Sequence, residues 1–304
     1  MFSLRFWGVR GSIPCPGQST LEFGGNTTCL EIRTDERLFI IDMGTGIKAL
    51  GDSLVKTALK NSKLDINIFI THTHWDHIMG FPMFSPVFSP NAKIKIWGPV
   101  SYNGEPLSSI VSGQLSYKYW PVRLNELVAG MEFEELKETK VDLGGGLILT
   151  TKFLNHSITC LGYRFDYKGS SIVCAFDHEP YRNMFPSDPK DPAYNEAAAV
   201  SGEAAANEEN EKIISFYKDA DILVHDAQFL PKEFNKRLGW GHSSYDYAIE
   251  AALAANVKKL VFFHHEPNRT DSQLRKLEER YKMKLKGKKR LSVVMAKEGM
   301  KLKA

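Results

Sequence analysis

A short stretch of the sequence, residues 71–80 (THTHWDHIMG), concentrates side chains that bind metal ions. Three histidines and one aspartate fall there within six positions: His72, His74, Asp76 and His77. Side chains at positions i and i+2 of an extended segment lie on one face, whereas a following turn directs the next two elsewhere. The spacing therefore predicts two metal ions side by side rather than one. The alternative is a solvated polar turn, but such a turn rarely gathers so many potential ligands.

Apolar runs that end in a polar residue recur along the chain. Residues 64–70 (LDINIFI) are apolar and β-branched, so the histidine cluster is predicted to lie where a buried strand ends and a helix begins. Four later runs end in the same manner, at His156, Asp177, Asp226 and His264. A charged residue at one strand end is often a simple boundary with solvent. Recurrence at four ends favours a shared site, because α/β proteins collect their sites at the carboxyl ends of strands.

The composition is that of a globular enzyme. The 304 residues are 43% hydrophobic and 25% charged, enough to bury a sizeable core. The net charge of +3 is too small to indicate nucleic-acid binding. Four scattered cysteines without a CxxC pair favour reduced thiols. No apolar signal region or 18-residue apolar run is present, so a cytoplasmic protein without a membrane span is expected.

Residues 1–304 are predicted to form a single domain, with three segments of distinct composition. Residues 187–211, rich in Ala, Glu and Asn, predict a mobile insertion or a loose helix, either a lid or an inert surface excursion. Residues 81–90 (FPMFSPVFSP) predict an aromatic loop that forms a substrate wall, a subunit contact or part of the core. The basic tail, 271–304, is interleaved with apolar residues, which favours a solvated face over a nucleic-acid arm.

Several further motifs accompany HTHWDH in a fixed order. They are FWGVRGSIPCPG at 6–17, GGNTTC at 24–29, DMGTG at 42–46, AFDHEP at 175–180, HDAQF at 225–229, GWGHSS at 239–244 and FFHHEP at 262–267. With these motifs the chain resembles the metallo-β-lactamase superfamily, and within it the phosphodiesterase branch that contains tRNase Z and the phosphonate-pathway cyclic phosphodiesterases. The resemblance implies an α/β fold, an αββα sandwich of two mixed β-sheets flanked by helices, with the site along one edge of both sheets.

The resemblance also implies a ligand set for two divalent ions. The implied ligands are His72, His74 and His156 for the first ion, Asp76, His77 and His264 for the second, and Asp177 as the bridge. His264 matches better than His265, because it directly follows the predicted strand. A cysteine at the bridging position would mark lactam-cleaving enzymes, so Asp177 argues against lactamase activity. Imidazole and carboxylate ligands favour zinc, with manganese as the alternative.

This ligand set predicts the chemistry of a phosphodiesterase. A hydroxide held between two cations would attack phosphorus in line, and the departing alkoxide would need a proton donor. The glycine-rich loop supplies His242 as this general acid; the alternative is a surface histidine. Asp226 resembles the family's acidic partner, which orients that histidine and favours its protonated form. Asp76 is counted with these two among the catalytic residues, besides being a ligand.

The expected substrate is a small phosphodiester, such as a cyclic nucleotide or cyclic phosphate. A tRNase Z-like nuclease and a glyoxalase II-like thioester hydrolase are the alternatives. The tRNase Z family carries a long arm between its third histidine and its bridging aspartate, whereas only twenty residues separate His156 from Asp177. Nucleic acid is therefore disfavoured as a partner. The thioester hydrolase would not need the Asp226–His242 pair. A homodimer is expected by analogy with relatives, and no membrane partner.

Overall fold

The chain alternates strands and helices along most of its length. The computed structural model describes residues 1–35, 37–57, 63–287 and 290–304. Its strands are β1 (Ser3–Gly8), β2 (Cys29–Arg33), β3 (Leu38–Ile41), β4 (Leu64–Phe69), β5 (Ala92–Pro99), β6 (Gly130–Leu136), β7 (Lys140–Gly144), β8 (Leu147–Leu154), β9 (Cys160–Tyr167), β10 (Ser170–Ala175), β11 (Ile222–Asp226), β12 (Lys259–Phe263), β13 (Ser292–Met295) and β14 (Lys301–Lys303). Its helices are α1 (Ile47–Thr57), α2 (Trp75–Ile78), α3 (Leu107–Gly113), α4 (Glu196–Tyr217), α5 (Pro231–Phe234), α6 (Tyr245–Ala254) and α7 (Asp271–Lys284).

These strands form two mixed sheets of seven. The first has the order β14-β1-β2-β3-β4-β5-β6, and the second has the order β13-β12-β11-β10-β9-β8-β7. Strands β3 to β6 run parallel to one another in the first sheet, and β10 to β13 do so in the second. The carboxyl ends of parallel neighbours meet at one edge of a sheet, which brings the polar residues that follow them together. This architecture confirms the predicted fold class.

Three apolar layers hold the sandwich together. The middle layer joins the inner faces of the two sheets and is rich in aromatic residues, among them Phe6, Phe39, Phe69 and Phe165. A second layer lies between the first sheet and α1, and a third packs α4, α6 and α7 onto the second sheet. Aromatic side chains bury a large area each, so the shared middle layer contributes strongly to stability. A single domain spanning 1–304 stays a prediction, which this shared layer supports.

Most of the segment 187–211 is helical. Residues 196–211 belong to the 22-residue helix α4, which Asn195 caps by accepting a hydrogen bond from the Ala198 N–H. The buried Ile213, Phe216 and Tyr217 dock the far end of this helix on the core. Of the two alternatives for 187–211, a mobile insertion or a loose helix, the structure has a helix over 196–211. This helix is anchored rather than loose, which its alanines, without apolar periodicity, did not indicate. Whether the segment acts as a lid stays a prediction.

The aromatic loop at 81–90 packs into the core. It forms two short 3₁₀ turns, Phe81–Met83 and Ser85–Phe88. Phe81, Phe84 and Val87 are fully buried against α1 and its sheet, which favours the core-packing alternative over a subunit contact.

The basic tail folds as α7, β13 and β14, in keeping with a solvated face, although residues 288 and 289 lie outside the described ranges. Over the residues that the structure describes, none of the helices combines the length and apolar character needed to cross a membrane.

Candidate metal centre

The first group of predicted ligands meets at the carboxyl edge of both sheets. His72 and His74 follow β4, and His156 follows β8. The Nδ1 atom of His74 lies 2.9 Å from Nε2 of His72 and 3.1 Å from Nε2 of His156. Asp177, which follows β10, places its Oδ2 atom 3.4 Å from Nε2 of His72 and 3.7 Å from Nε2 of His156. The structure thus brings these four side chains into one cluster that could hold a metal ion.

The second group adjoins the first through the same aspartate. Asp76 and His77 belong to α2, and His264 follows β12. The Nε2 atoms of His77 and His264 lie 3.3 Å apart, and both lie within 3.3 Å of Oδ2 of Asp76. The other oxygen of Asp177, Oδ1, is 3.4 Å from His77 and 3.2 Å from His264. The two halves of the HTHWDH motif therefore serve different groups, as the spacing predicts.

These distances fit tetrahedral metal coordination. With metal–ligand bonds of ~2.1 Å, neighbouring ligand atoms of a tetrahedral site lie ~3.4 Å apart, and the distances in both groups scatter around this value, from 2.9 to 3.7 Å. Asp177 Oδ1 is buried and accepts no hydrogen bond from any described residue. A buried carboxylate oxygen is costly without a partner. A cation between Asp177, His77 and His264 would satisfy it.

The backbone turns sharply where it presents these ligands. Asp177 and His264 adopt positive φ angles of 38° and 59°, in a region that residues other than glycine rarely occupy. Such strain persists where the surrounding structure holds the residue in place, and it is common at functional sites. His265, the rejected alternative ligand, instead donates from Nε2 to the carbonyl of Ala296 at 2.8 Å. The structure thus places His264, and not its neighbour, in the cluster.

Hydrogen bonds around the cluster fix which nitrogen of a histidine faces inward. Asp42 accepts from Nδ1 of His77 at 2.7 Å, and the carbonyl of Gly241 accepts from Nδ1 of His156 at 2.9 Å. Each bond leaves Nε2 free to bind a metal, a usual arrangement around metal-bound histidines. Asp42 belongs to the DMGTG motif, but its role was not predicted from the sequence. Because Asp42 directly follows β3, the strand-end rule applied to the other four residues would have found it.

The electrostatics of the cluster combine neutral imidazoles with carboxylates that favour a positive charge. Burial lowers the pKa of His72 well below its usual value and that of His156 to about 4. Their imidazoles therefore stay neutral, as metal ligands must. Burial also opposes the charged form of His77, but Asp177 and then Asp76 outweigh it and raise the pKa of His77 well above its usual value. The carboxylates thus favour a positive charge at this point, which a metal ion would supply.

His242 lies over the cluster with Asp226 behind it. The ring of His242 stacks on His264 at 4.9 Å between centroids, and Nδ1 donates to Oδ2 of Asp226 at 3.1 Å. The same carboxylate accepts from the backbone N–H of Ser243 at 3.0 Å, which holds it in position. Burial opposes protonation of His242, but Asp226 and then Asp177 outweigh it and raise the pKa of His242 to about 9. The structure therefore brings the predicted acid and its partner together beside the ligands.

A buried glutamate, which the sequence analysis did not single out, fixes the loop that carries His242. Glu179 is 4% exposed, and its carboxylate accepts the backbone N–H groups of Gly239 and Gly241 at 2.8 Å each. Both glycines have positive φ, 85° and 81°. The AFDHEP motif contains Glu179, but a carboxylate that acts on the backbone of a distant loop leaves no spacing signal in sequence.

We expect Gly241→Ala to weaken metal binding. A Cβ atom on Gly241 would lie 2.2 Å from Nδ1 of His156, closer than any real contact, so this ligand must move. Disturbing such support typically lowers metal affinity about 10–100-fold, which titration with a competing chelator would measure. Gly239→Ala is the matched control, because that position has a similar φ and only Arg182 within 4 Å. Equal metal affinities of the two variants would contradict the expectation.

Comparisons with known proteins agree with this site and fold. A family model of the metallo-β-lactamase superfamily matches residues 23–169. Over nearly half of its length the chain is therefore similar to this superfamily. Ribonuclease Z of Prochlorococcus marinus (strain MIT 9515) is 25% identical over 300 residues, covering 90% of each chain. The chain is accordingly a metal-dependent hydrolase.

Two solved structures are similar to this one over almost the whole chain. The human short form of tRNase Z superposes with a TM-score of 0.62 at 19% identity, covering 99% of this chain and 98% of that one. A diphosphatase from the PhnP family gives a TM-score of 0.63 at 18% identity, covering 100% and 98%. At such identities the likeness establishes the fold alone.

Proposed function

We propose that the chain hydrolyses phosphodiesters with two divalent metal ions. The observation that carries this proposal is the pair of ligand groups joined by the two oxygens of Asp177, with His242 beside them. When bound, two metal ions supply an activated nucleophile at neutral pH and neutralise charge on the phosphoryl oxygens. The donor set of imidazoles and carboxylates suits zinc first, and manganese as the alternative.

His242 and Asp226 are proposed to handle the leaving group. Protonated His242 would donate its proton to the departing oxygen, since an alkoxide is a poor leaving group. Asp226 is a positioning residue that holds Nδ1 of His242 and leaves Nε2 to face the substrate. A thioester hydrolase, which releases a thiolate of far lower basicity, has less need of this pair. Asp76 acts in this proposal through its position in the second ligand group.

Two substrate classes remain, each favoured by a different observation. The curated relatives, among them that of Prochlorococcus marinus, bear the name ribonuclease Z, which favours the phosphodiester of an RNA chain. This finding weighs against the preference for small molecules in the sequence analysis. The short connection between His156 and Asp177 favours a small diester. It consists of β9 and β10, which form a hairpin with Tyr167 paired to Ser170, so no long arm extends from this connection. We propose RNA as the first substrate to test and a cyclic nucleotide as the second.

Hydrolysis by metal-loaded protein is the decisive test. We expect cleavage of bis-p-nitrophenyl phosphate that a chelator abolishes and that zinc or manganese restores, with two ions bound per chain. A precursor tRNA with a 3′ trailer and a panel of 2′,3′- and 3′,5′-cyclic nucleotides would then separate the two substrate classes. A thioester serves as the negative control. One ion per chain without diester cleavage, or faster hydrolysis of the thioester, would refute the proposal. Light scattering on the same sample would test the expected homodimer.

A further inference from the structure

An exposed tryptophan stands beside the metal centre on a loop that is held in place. The side chain of Trp240 is 62% exposed, although it lies two residues before His242, whose side chain is 12% exposed. The glycines on either side of it donate their N–H groups to the buried carboxylate of Glu179. Single exposed apolar side chains are common and need no explanation by themselves. Here, however, the indole stands on a loop whose next residue, Gly241, accepts a hydrogen bond from the candidate ligand His156.

A continuous run of contacts links this indole to His242. The guanidinium of Arg237 lies 5.7 Å from the ring centre of Trp240 and 5.0 Å from that of Phe229. Phe229 in turn packs edge-on against His242, with 5.9 Å between ring centroids. The cation over two aromatic rings restrains Arg237. The group formed by the buried Phe229, the half-buried Arg237 and the exposed Trp240, called here the aromatic rim, thus reaches from the proposed acid to solvent.

We propose that the aromatic rim is a nucleobase subsite for the leaving group of the substrate. This inference rests on the proposed function: a group that protonates the departing oxygen lies beside the leaving group, so the rim is the next surface that the leaving group meets. A planar indole with a neighbouring guanidinium suits stacking on a base, which tolerates any of the four bases. Trp240 would contribute the stacking face and Arg237 the adjoining positive charge.

The test measures binding of nucleotides rather than turnover. Metal-loaded protein is titrated with adenosine 5′-monophosphate and with ribose 5-phosphate, which has the same sugar and phosphate but no base. We expect Trp240→Ala to weaken binding of the nucleotide by roughly 5- to 100-fold, the range typical of base stacking, without affecting ribose 5-phosphate. Trp240→Phe should restore much of the loss. The nucleotide should also quench tryptophan fluorescence in the natural protein, and Trp240→Phe should remove that quenching.

Tyr119→Ala supplies the control, because Tyr119 is a comparably exposed aromatic residue, at 79%, outside the rim and the ligand groups. Metal content is measured in every variant, so that a distorted loop is recognised. Equal affinity of the natural protein for both ligands, or equal weakening of both by Trp240→Ala, would overturn the subsite. A change confined to oligomeric state would also overturn it, in favour of a contact between copies. If the protein binds the nucleotide more tightly than ribose 5-phosphate but cleaves no diester, the subsite is sustained and the proposed function is refuted. If it cleaves diesters but binds both ligands equally, the subsite alone is refuted.

Discussion

Replacing Asp177 by alanine is expected to lower phosphodiester hydrolysis by roughly 10⁴-fold or more, because the variant lacks the carboxylate that faces both proposed metal sites. Its two oxygens face different ligand groups, so the substitution removes one ligand from each. Bound metal should fall below two ions per chain. The rise in melting temperature on adding metal should shrink as well, since binding to the folded state stabilises it.

Asp65→Ala is the matched control for this substitution. Asp65 is an exposed aspartate on β4, the strand that leads into HTHWDH, but it lies at the opposite end from the ligands. Its variant should keep two metal ions and the activity of the natural protein. If Asp177→Ala also kept both ions and most of its activity, Asp177 would not bridge the metals.

Replacing His242 by alanine is expected to lower turnover by roughly 10²–10⁴-fold while both metal ions stay bound. The loss should be large for a diester with a poor leaving group, such as a dinucleotide, since that oxygen needs a proton as it departs. It should be small for a p-nitrophenyl ester, whose leaving group is stable as an anion. Measuring kcat for the two substrates in parallel, with metal analysis of the same samples, separates loss of the acid from loss of the metals.

Asp226→Asn tests the partner of this histidine. An amide in place of the carboxylate keeps the shape but removes the charge that favours protonated His242. We therefore expect Asp226→Asn to lower kcat more for the dinucleotide than for the p-nitrophenyl ester, with a smaller loss than in His242→Ala. Unchanged hydrolysis of the dinucleotide by His242→Ala would reject the acid role, and an equal loss with both substrates would point to a disturbed site instead.

The clearest sequence signals came from local patterns. Alternating apolar residues before HTHWDH predict strand β4, and the change from extended chain to turn predicts that His72 and His74 separate from Asp76 and His77. The structure has this division. Spacing can reveal it because ligands close in sequence share a local backbone geometry, which the residues themselves dictate.

Two residues that orient site residues distant from them in sequence were not predicted. Asp42 fixes the tautomer of His77, and Glu179 holds the loop that carries Trp240 and His242. Each acts through a hydrogen bond across two elements. Asp42 directly follows β3 and so shares the strand-end signal of the other residues, whereas Glu179 leaves no periodic or spaced pattern. The sequence did not indicate that helix α4 is anchored, because this alanine-rich helix is stabilised by docking on the core and by its cap rather than by an apolar stripe.

The sequence by itself determined the types of ligand, their order and the strand ends that bear them, because these depend on local propensity and on residue chemistry. Only the tertiary structure decided that both oxygens of Asp177 face different groups, that His264 and not His265 turns inward, and that Asp226 reaches His242. Parallel pairing of β10, β11 and β12 brings their carboxyl ends to one edge, and the positive φ of Asp177 and His264 then aims the side chains. The distances between atoms come from this packing, which no spacing along the chain specifies.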